Sequence, residues 1–273
     1  MTSTGTEPVG RSGYVARGDL KLHYLEHGNP AAPPVVILPG ITSPAAMLEF
    51  VSVELGREYH VIALDIRGRG MSDKPDSGFT LADYAGDVSA VVEELGLRLP
   101  ALVGHSMGAR IAAAVRVLDP GVAGPLVLAD PPLTGPGRDP YPMSLEAFMD
   151  QLQAARSGAP PERLAQYFPT LSPEHLAVRA EWLPTCDENA VRESWLNFHR
   201  EDFFPYLREL EPPVLFMYGA NSPVVPESAL AEIRETRPDL ELVPIAGAGH
   251  MIPWDNTPDF LSETTRFLRR VLI

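Results

Sequence analysis

Cysteine is nearly absent. Cys186 is the single one in 273 residues, which excludes an internal disulfide and a cysteine-based metal cluster and leaves one buried, inert thiol as the expectation. Basic side chains are scarce as well: 22 Lys and Arg stand against 36 Asp and Glu, a formal charge of −14. Bulk electrostatics of that sign works against nucleic acid and anionic membranes as partners, although a few arginines can reverse the potential inside one pocket. Long apolar runs are missing too, and no stretch approaches the roughly 18–20 residues of a spanning helix. Positions 1–13 are rich in Ser, Thr and Gly without the apolar segment of a secretory signal, so a soluble, cytoplasmic protein is expected. With 45% apolar and 21% charged residues the chain can bury a substantial core, and its length suits one large domain or a domain with an insertion.

What is present is an alternation of short aliphatic runs with helical stretches, the pattern of a mostly parallel, doubly wound α/β sheet. Strands are predicted at 35–38, 60–65, 101–104, 125–130, 214–218 and 240–245. Two opening segments, around Tyr14 and Leu20–Tyr24, flank a Gly-Asp turn and read as an antiparallel edge hairpin. The alternation breaks after Asp130. A Pro/Gly-rich loop at 131–140 is followed by helical segments at 144–156, 161–167, 173–182, 189–199 and 205–210, with Ser144 and Ser172 as N-caps. The expected division is a core of 1–131 and 213–273 and a helical cap of 132–212. Such an insertion lies over the carboxyl edge of the sheet, where α/β folds bind ligands.

The chemistry-bearing motif is Gly104-His105-Ser106-Met107-Gly108, between the apolar run 101–103 and a helical stretch from Ala109. A strand entering a helix through so tight a turn strains the serine and exposes its hydroxyl, the nucleophile elbow of α/β-hydrolases. A serine nucleophile needs a base, and the base an orienting acid. His250 follows the last strand in a Gly-rich loop and comes after Ser106, as that chain order requires. His105 is expected to support the turn, and His27, His60 and His175 to serve at the surface. For the acid, the loop after strand 214–218 holds Asn221, whose amide gives little stabilisation to an imidazolium. Asp130, closing the preceding strand, takes the role instead; Asp255 ranks behind it as the cap or lead of the final helix. Two backbone amides, those of Ile41 and Met107, are the expected oxyanion donors.

These segments resemble the α/β-hydrolases, and within them the N-formylmaleamate deformylases of bacterial nicotinic acid breakdown. The resemblance rests on Gly40 to Ala45, Asp65 to Gly70, Gly104 to Arg110, Asp130-Pro131-Pro132, Gly135 to Arg138, Tyr141-Pro142, Arg179 to Leu183, Thr185-Cys186, Phe198-His199 and Ala248 to Asp255. It implies the acid at Asp130 and hydrolysis of a formamide on an unsaturated dicarboxylic monoamide, with neither metal nor organic cofactor. A related amidohydrolase of vitamin B6 breakdown shares that acid placement. The partner implied is a small carboxylate-bearing substrate, for which Arg138 and Arg179 are candidate ligands and His199 and Trp182 candidate wall residues. Arg110 and Arg67 are expected to partner buried carboxylates. An ester, lactone or carbon–carbon hydrolase on the same triad is the alternative, since pocket shape and not the triad selects the bond. A non-catalytic receptor, with Asn221 as a mark of decay, is the other class. Oligomeric state has no signature in the sequence.

Overall fold

The aliphatic runs become the interior of one eight-stranded sheet, because a strand apolar on both faces needs cover on both. The computed structural model describes residues 9–272; the absence of a signal segment, read from the first residues, falls largely outside them. The strands are β1 (Arg11–Arg17), β2 (Leu20–His27), β3 (Pro34–Leu38), β4 (His60–Leu64), β5 (Ala101–His105), β6 (Leu126–Ala129), β7 (Val214–Gly219) and β8 (Glu241–Ile245). Their order is β1-β2-β4-β3-β5-β6-β7-β8. The opening hairpin is antiparallel and joins β4 antiparallel, while every pair from β4 through β8 is parallel. β4, β5 and β6 are buried at every position, whereas β8, at the edge, is mostly half-exposed.

The helices are α1 (Glu49–Leu55), α2 (Leu81–Glu94), α3 (Met107–Leu118), α4 (Leu145–Arg156), α5 (Pro173–Trp182), α6 (Glu188–Arg200), α7 (Phe204–Glu209), α8 (Glu227–Thr236), α9 (Ile252–Asp255) and α10 (Thr257–Val271). Four of them, α4 to α7, lie between β6 and β7, close to the segments read from the sequence. The Ser144 hydroxyl accepts the Ala147 amide at 3.2 Å and that of Ser172 the His175 amide at 3.3 Å, the two N-caps expected. The segment 161–167 is a 3-10 helix rather than an α-helix, over Pro161–Gln166. No helix among the described residues is long and apolar enough to cross a membrane.

Two histidines differ from the surface roles expected of them. His60 opens β4, which sits inside the sheet between β2 and β3, and is therefore covered; its Nε2 lies 2.8 Å from Glu26 Oε1. His27 is buried over Gly10, whose missing side chain leaves room for the ring.

Candidate active site

β5 ends at His105 and α3 begins at Met107, so the reversal from strand to helix is made at Ser106. Its backbone sits at φ 57°, ψ −120°, a strained conformation costing on the order of 1–3 kcal/mol that persists only where the surroundings enforce it. The flanking glycines are required by contact. A Cβ on Gly104 would lie 2.3 Å from the Gly108 carbonyl oxygen, and one on Gly108 would lie 1.9 Å from that of Leu38. The motif thus presses α3 onto β3 and β5 and leaves the serine side chain at their carboxyl ends.

Ser106 Oγ is 3.0 Å from His250 Nε2, and His250 Nδ1 is 2.7 Å from Asp130 Oδ2. Asp130, fully buried, turns out of β6 with φ 50°. Three donors converge on its carboxylate: His250 Nδ1, the Gly219 amide at 2.8 Å and the Ser222 hydroxyl at 2.5 Å. With Nδ1 committed as a donor to the carboxylate, Nε2 presents its lone pair to Ser106. Asn221 is exposed, and its backbone amide donates to the Ala248 carbonyl at 2.9 Å, while its side chain has no hydrogen-bond partner among the described residues. The chain after β7 therefore offers a neutral amide at Asn221 and instead holds the Asp130 carboxylate of the neighbouring strand through Gly219 and Ser222, contacts that the sequence reading missed.

His105 supports this frame from below: its Nε2 donates to the His250 carbonyl at 2.8 Å, and burial drives its pKa down to about 3. Asp255 makes no hydrogen bond to the side chain of Ser106 or His250 among the described residues, and it leads into α10 without capping it. It accepts the Gly249 amide at 2.8 Å and the Thr170 hydroxyl at 2.5 Å, bracing the His250 loop, while Asn256 caps α10.

On the other side of the serine the loop after β3 comes close: a Cβ on Gly40 would lie 3.7 Å from Ser106 Oγ. The Ile41 and Met107 amides have no hydrogen-bond acceptor among the described residues, and both residues are buried. Arg69 fixes this loop, donating from Nε to the Ile41 carbonyl at 2.9 Å while another of its nitrogens reaches Ser194 Oγ, on α6, at 2.9 Å. One buried guanidinium thereby ties the loop to the helices above it.

The segment between β6 and β7 closes a cavity over Ser106, contributing Phe148 from α4, Arg179 from α5, and Tyr141, Met143 and Phe168 from the connecting stretches. Arg179 is buried, stacks on the Phe168 ring at 3.8 Å and reaches only the Thr42 and Ser43 hydroxyls, at 3.3 and 3.4 Å. Burial lowers its pKa to about 10, and no carboxylate pairs with it among the described residues. The remaining candidates lie elsewhere. Arg138 forms a two-pronged pair with Glu232 on α8, at 2.8 and 3.1 Å, and bonds Asp202 at 3.0 Å, outside the cavity. Trp182 packs against the core and does not line the cavity. His199 does not line it either; its Nε2 accepts the Tyr141 amide at 3.3 Å and its Nδ1 lies 3.1 Å from the Trp195 carbonyl. Tyr141 is the wall residue the sequence reading left unassigned, although Tyr141-Pro142 stood among the segments of resemblance. Its hydroxyl is 3.2 Å from His250 Nε2.

Of the two structural arginines, Arg67 pairs with Asp87 as expected. Arg110 pairs with no carboxylate among the described residues. It donates to the Pro132 and Glu201 carbonyls, at 3.1 and 2.6 Å, and to Thr134 Oγ1 at 3.1 Å, tying the loop after β6 to the end of α6 through neutral oxygens instead.

Comparison with known proteins agrees with this architecture. A family model described as the alpha/beta hydrolase fold matches residues 33–257. The chain is 38% identical to an N-formylmaleamate deformylase of Pseudomonas putida, over 96% of this chain and 97% of that protein. A crystal structure of an N-formylmaleamic acid deformylase, also from Pseudomonas putida, superposes with a TM-score of 0.87 at 33% identity, covering 93% of this chain and all of that one. A 2-(acetamidomethylene)succinate hydrolase of Mesorhizobium japonicum is 29% identical over 92% of each chain. The chain belongs to the α/β-hydrolase family.

Proposed function

We propose that this hydrolase cleaves the carbon–nitrogen bond of a formamide on a small carboxylate-bearing substrate, with N-formylmaleamate as the molecule to test. The observation that carries the reading is a Ser106–His250–Asp130 hydrogen-bonded chain facing a cavity that also holds Arg179, a buried cation with no anionic partner among the described residues. Burying an unpaired charge is costly unless a counter-charge arrives. A substrate carboxylate docking on Arg179 supplies one, with the Thr42 and Ser43 hydroxyls as further donors. The names of the two relatives point the same way, since both substrates join an acylated nitrogen to carboxylates. The 132–212 segment acts as the cap that selects them.

In the reaction, Ser106 Oγ attacks the formyl carbon as its proton passes to His250 Nε2. Asp130 holds the ring in the tautomer able to accept that proton and stabilises the imidazolium. The carbonyl electron pair moves onto oxygen, which the Ile41 and Met107 amides hydrogen-bond; removing one such donor typically costs about 10²- to 10³-fold in rate. Collapse of the tetrahedral intermediate breaks the carbon–nitrogen bond, and the Nε2 proton goes to the departing nitrogen. Water, deprotonated by the same imidazole, then attacks the formyl ester, releasing formate and regenerating Ser106.

The deciding experiment offers the purified protein N-formylmaleamate beside aryl esters, lactones and ring-cleavage diketones, each followed by its own product. Formate release at the highest kcat/KM of the panel supports the reading. A kcat/KM greater for an ester, lactone or diketone assigns the triad to that bond instead.

A further inference from the structure

The cavity is also lined by a phenol that the reaction as written does not use. Tyr141 reaches His250 Nε2 at 3.2 Å, and the same nitrogen is 3.0 Å from Ser106 Oγ. Because Nδ1 is committed to Asp130, Nε2 has a single lone pair, so only one of the two hydroxyls can donate to it at a time. When Ser106 takes that place, as it must before attack, the phenolic proton turns to the Ser106 hydroxyl, which keeps its lone pairs while it donates; once Oγ has bonded to carbon, the phenol needs another acceptor.

We propose that Tyr141 is a catalytic residue whose phenolic O–H hydrogen-bonds the departing group and assists breakage of the bond to it. This inference rests on the assignment of Ser106 and His250 as nucleophile and base. Once the serine proton has moved to Nε2, the imidazolium presents an N–H where the lone pair was, and the phenol then faces a donor instead of an acceptor. The acceptor arriving beside it is the departing atom, which must come within reach of Nε2 to collect its proton. The electron pair of the breaking bond goes to that atom, the Nε2 proton bonds it, and the phenol keeps its own proton throughout. The contact is made only as charge develops, so it lowers the barrier rather than merely tightening ground-state binding.

The surroundings hold the phenol to this task. Tyr141 is 7% exposed, and its ring packs on Phe198 with a centroid distance of 5.2 Å. Its backbone amide is anchored on His199, which is in turn fixed by the Trp195 carbonyl. Burial, with the Asp130 charge adding to it, raises the phenol above its usual pKa, so it acts as a neutral donor. His199 therefore serves as a positioning residue for Tyr141, through the backbone, rather than as a wall of the cavity.

The test is Tyr141→Phe, which keeps the ring and removes only the donor. It is measured by kcat/KM on a series of aryl formates graded in leaving-group basicity, with N-formylmaleamate beside them. The expected loss is small for the most acidic leaving phenol and grows to about 10- to 100-fold for the most basic one, the range of a lost hydrogen bond to a charged partner. An equal loss across the series, or none, overturns the proposal. Ring-fluorinated tyrosine at 141, a stronger donor that preserves packing, is expected to flatten the dependence, and a steeper one contradicts it. If wild type cleaves the aryl formates but not N-formylmaleamate, the substrate assignment fails while the slope still decides Tyr141. If Ser106→Ala still cleaves the esters, the nucleophile assignment fails instead.

Discussion

Replacing Asp130 by Asn removes one charge and almost no volume, and the structure shows why an amide has no good orientation there. Oδ1 accepts the Gly219 amide at 2.8 Å, while Oδ2 accepts both His250 Nδ1 at 2.7 Å and the Ser222 hydroxyl at 2.5 Å. With the amide NH2 at the Oδ2 position, it confronts Nδ1–H, and the imidazole is driven to the tautomer whose Nε2 cannot accept the serine proton. With the NH2 at the Oδ1 position, it confronts the Gly219 N–H, leaving buried donors unsatisfied at about 1–3 kcal/mol, and the imidazolium still lacks its counter-charge. The same substitution in a protease triad lowers kcat about 10⁴-fold, which corresponds to about 5 kcal/mol of barrier at 1.36 kcal/mol per decade. A loss of that order in kcat is expected here, with KM changed little because Asp130 does not line the cavity. The assay is steady-state formate release by Asp130→Asn, alongside Asn221→Asp as a control at an exposed position. Retention of more than about a tenth of wild-type kcat would refute the assignment of the acid, as would a comparable loss in Asn221→Asp.

Three further outcomes follow from individual contacts. Ser222→Ala removes one donor from the Asp130 carboxylate, and kcat is expected to fall about 10-fold without a change in KM; an unchanged pH–rate profile and kcat would remove Ser222 from the frame. Arg179→Met is expected to raise KM for a carboxylate-bearing formamide by about 10- to 100-fold, the worth of a charge-assisted hydrogen bond, and to leave a neutral aryl formate unaffected. Equal losses on both substrates would mean that Arg179 shapes the cap rather than meeting a carboxylate. The third outcome concerns acid stability. Burial, with the nearby His250 adding to it, holds the His105 pKa at about 3, below the ordinary 6.5. The unfolded chain therefore binds one proton more than the folded protein between those values, and the stability from a neutral His105 is lost as pH falls. The slope is about 1.4 kcal/mol per pH unit. Denaturant unfolding of His105→Gln should show about 2 kcal/mol less destabilisation than wild type between pH 6.5 and pH 5. Parallel pH dependences would contradict a buried neutral imidazole.

The placements legible from sequence are those dictated locally. Ser106 is fixed by a strand, a glycine-flanked turn and a helix, all within a short stretch. Asp130 could be preferred over the loop after β7 because Asn221 stands where an acid would be needed. The contributions of that loop were not legible: Ser222 and Gly219 matter only because β6 and β7 are neighbours, which aligns their carboxyl ends. The same holds above the sheet. Arg138 and Arg179 look alike as candidate cations, but Arg138 meets Glu232, 94 positions away, whereas Arg179 meets hydroxyls beside the cavity. Helical periodicity says which residues share a face, not which face turns toward the serine. Arg110 illustrates the converse, since a buried cation on α3 suggests a carboxylate partner while the loops around it offer carbonyl oxygens.

The central claim is that the formyl group passes through an ester on Ser106. Acid quenching during turnover of N-formylmaleamate, followed by peptide mass mapping, tests it most directly. The account predicts a formylated peptide containing Ser106 that appears with substrate, disappears as substrate is exhausted, and is absent from Ser106→Ala, which releases no formate. Formate release by wild type with Ser106 unmodified throughout, or continued release by Ser106→Ala, would contradict it.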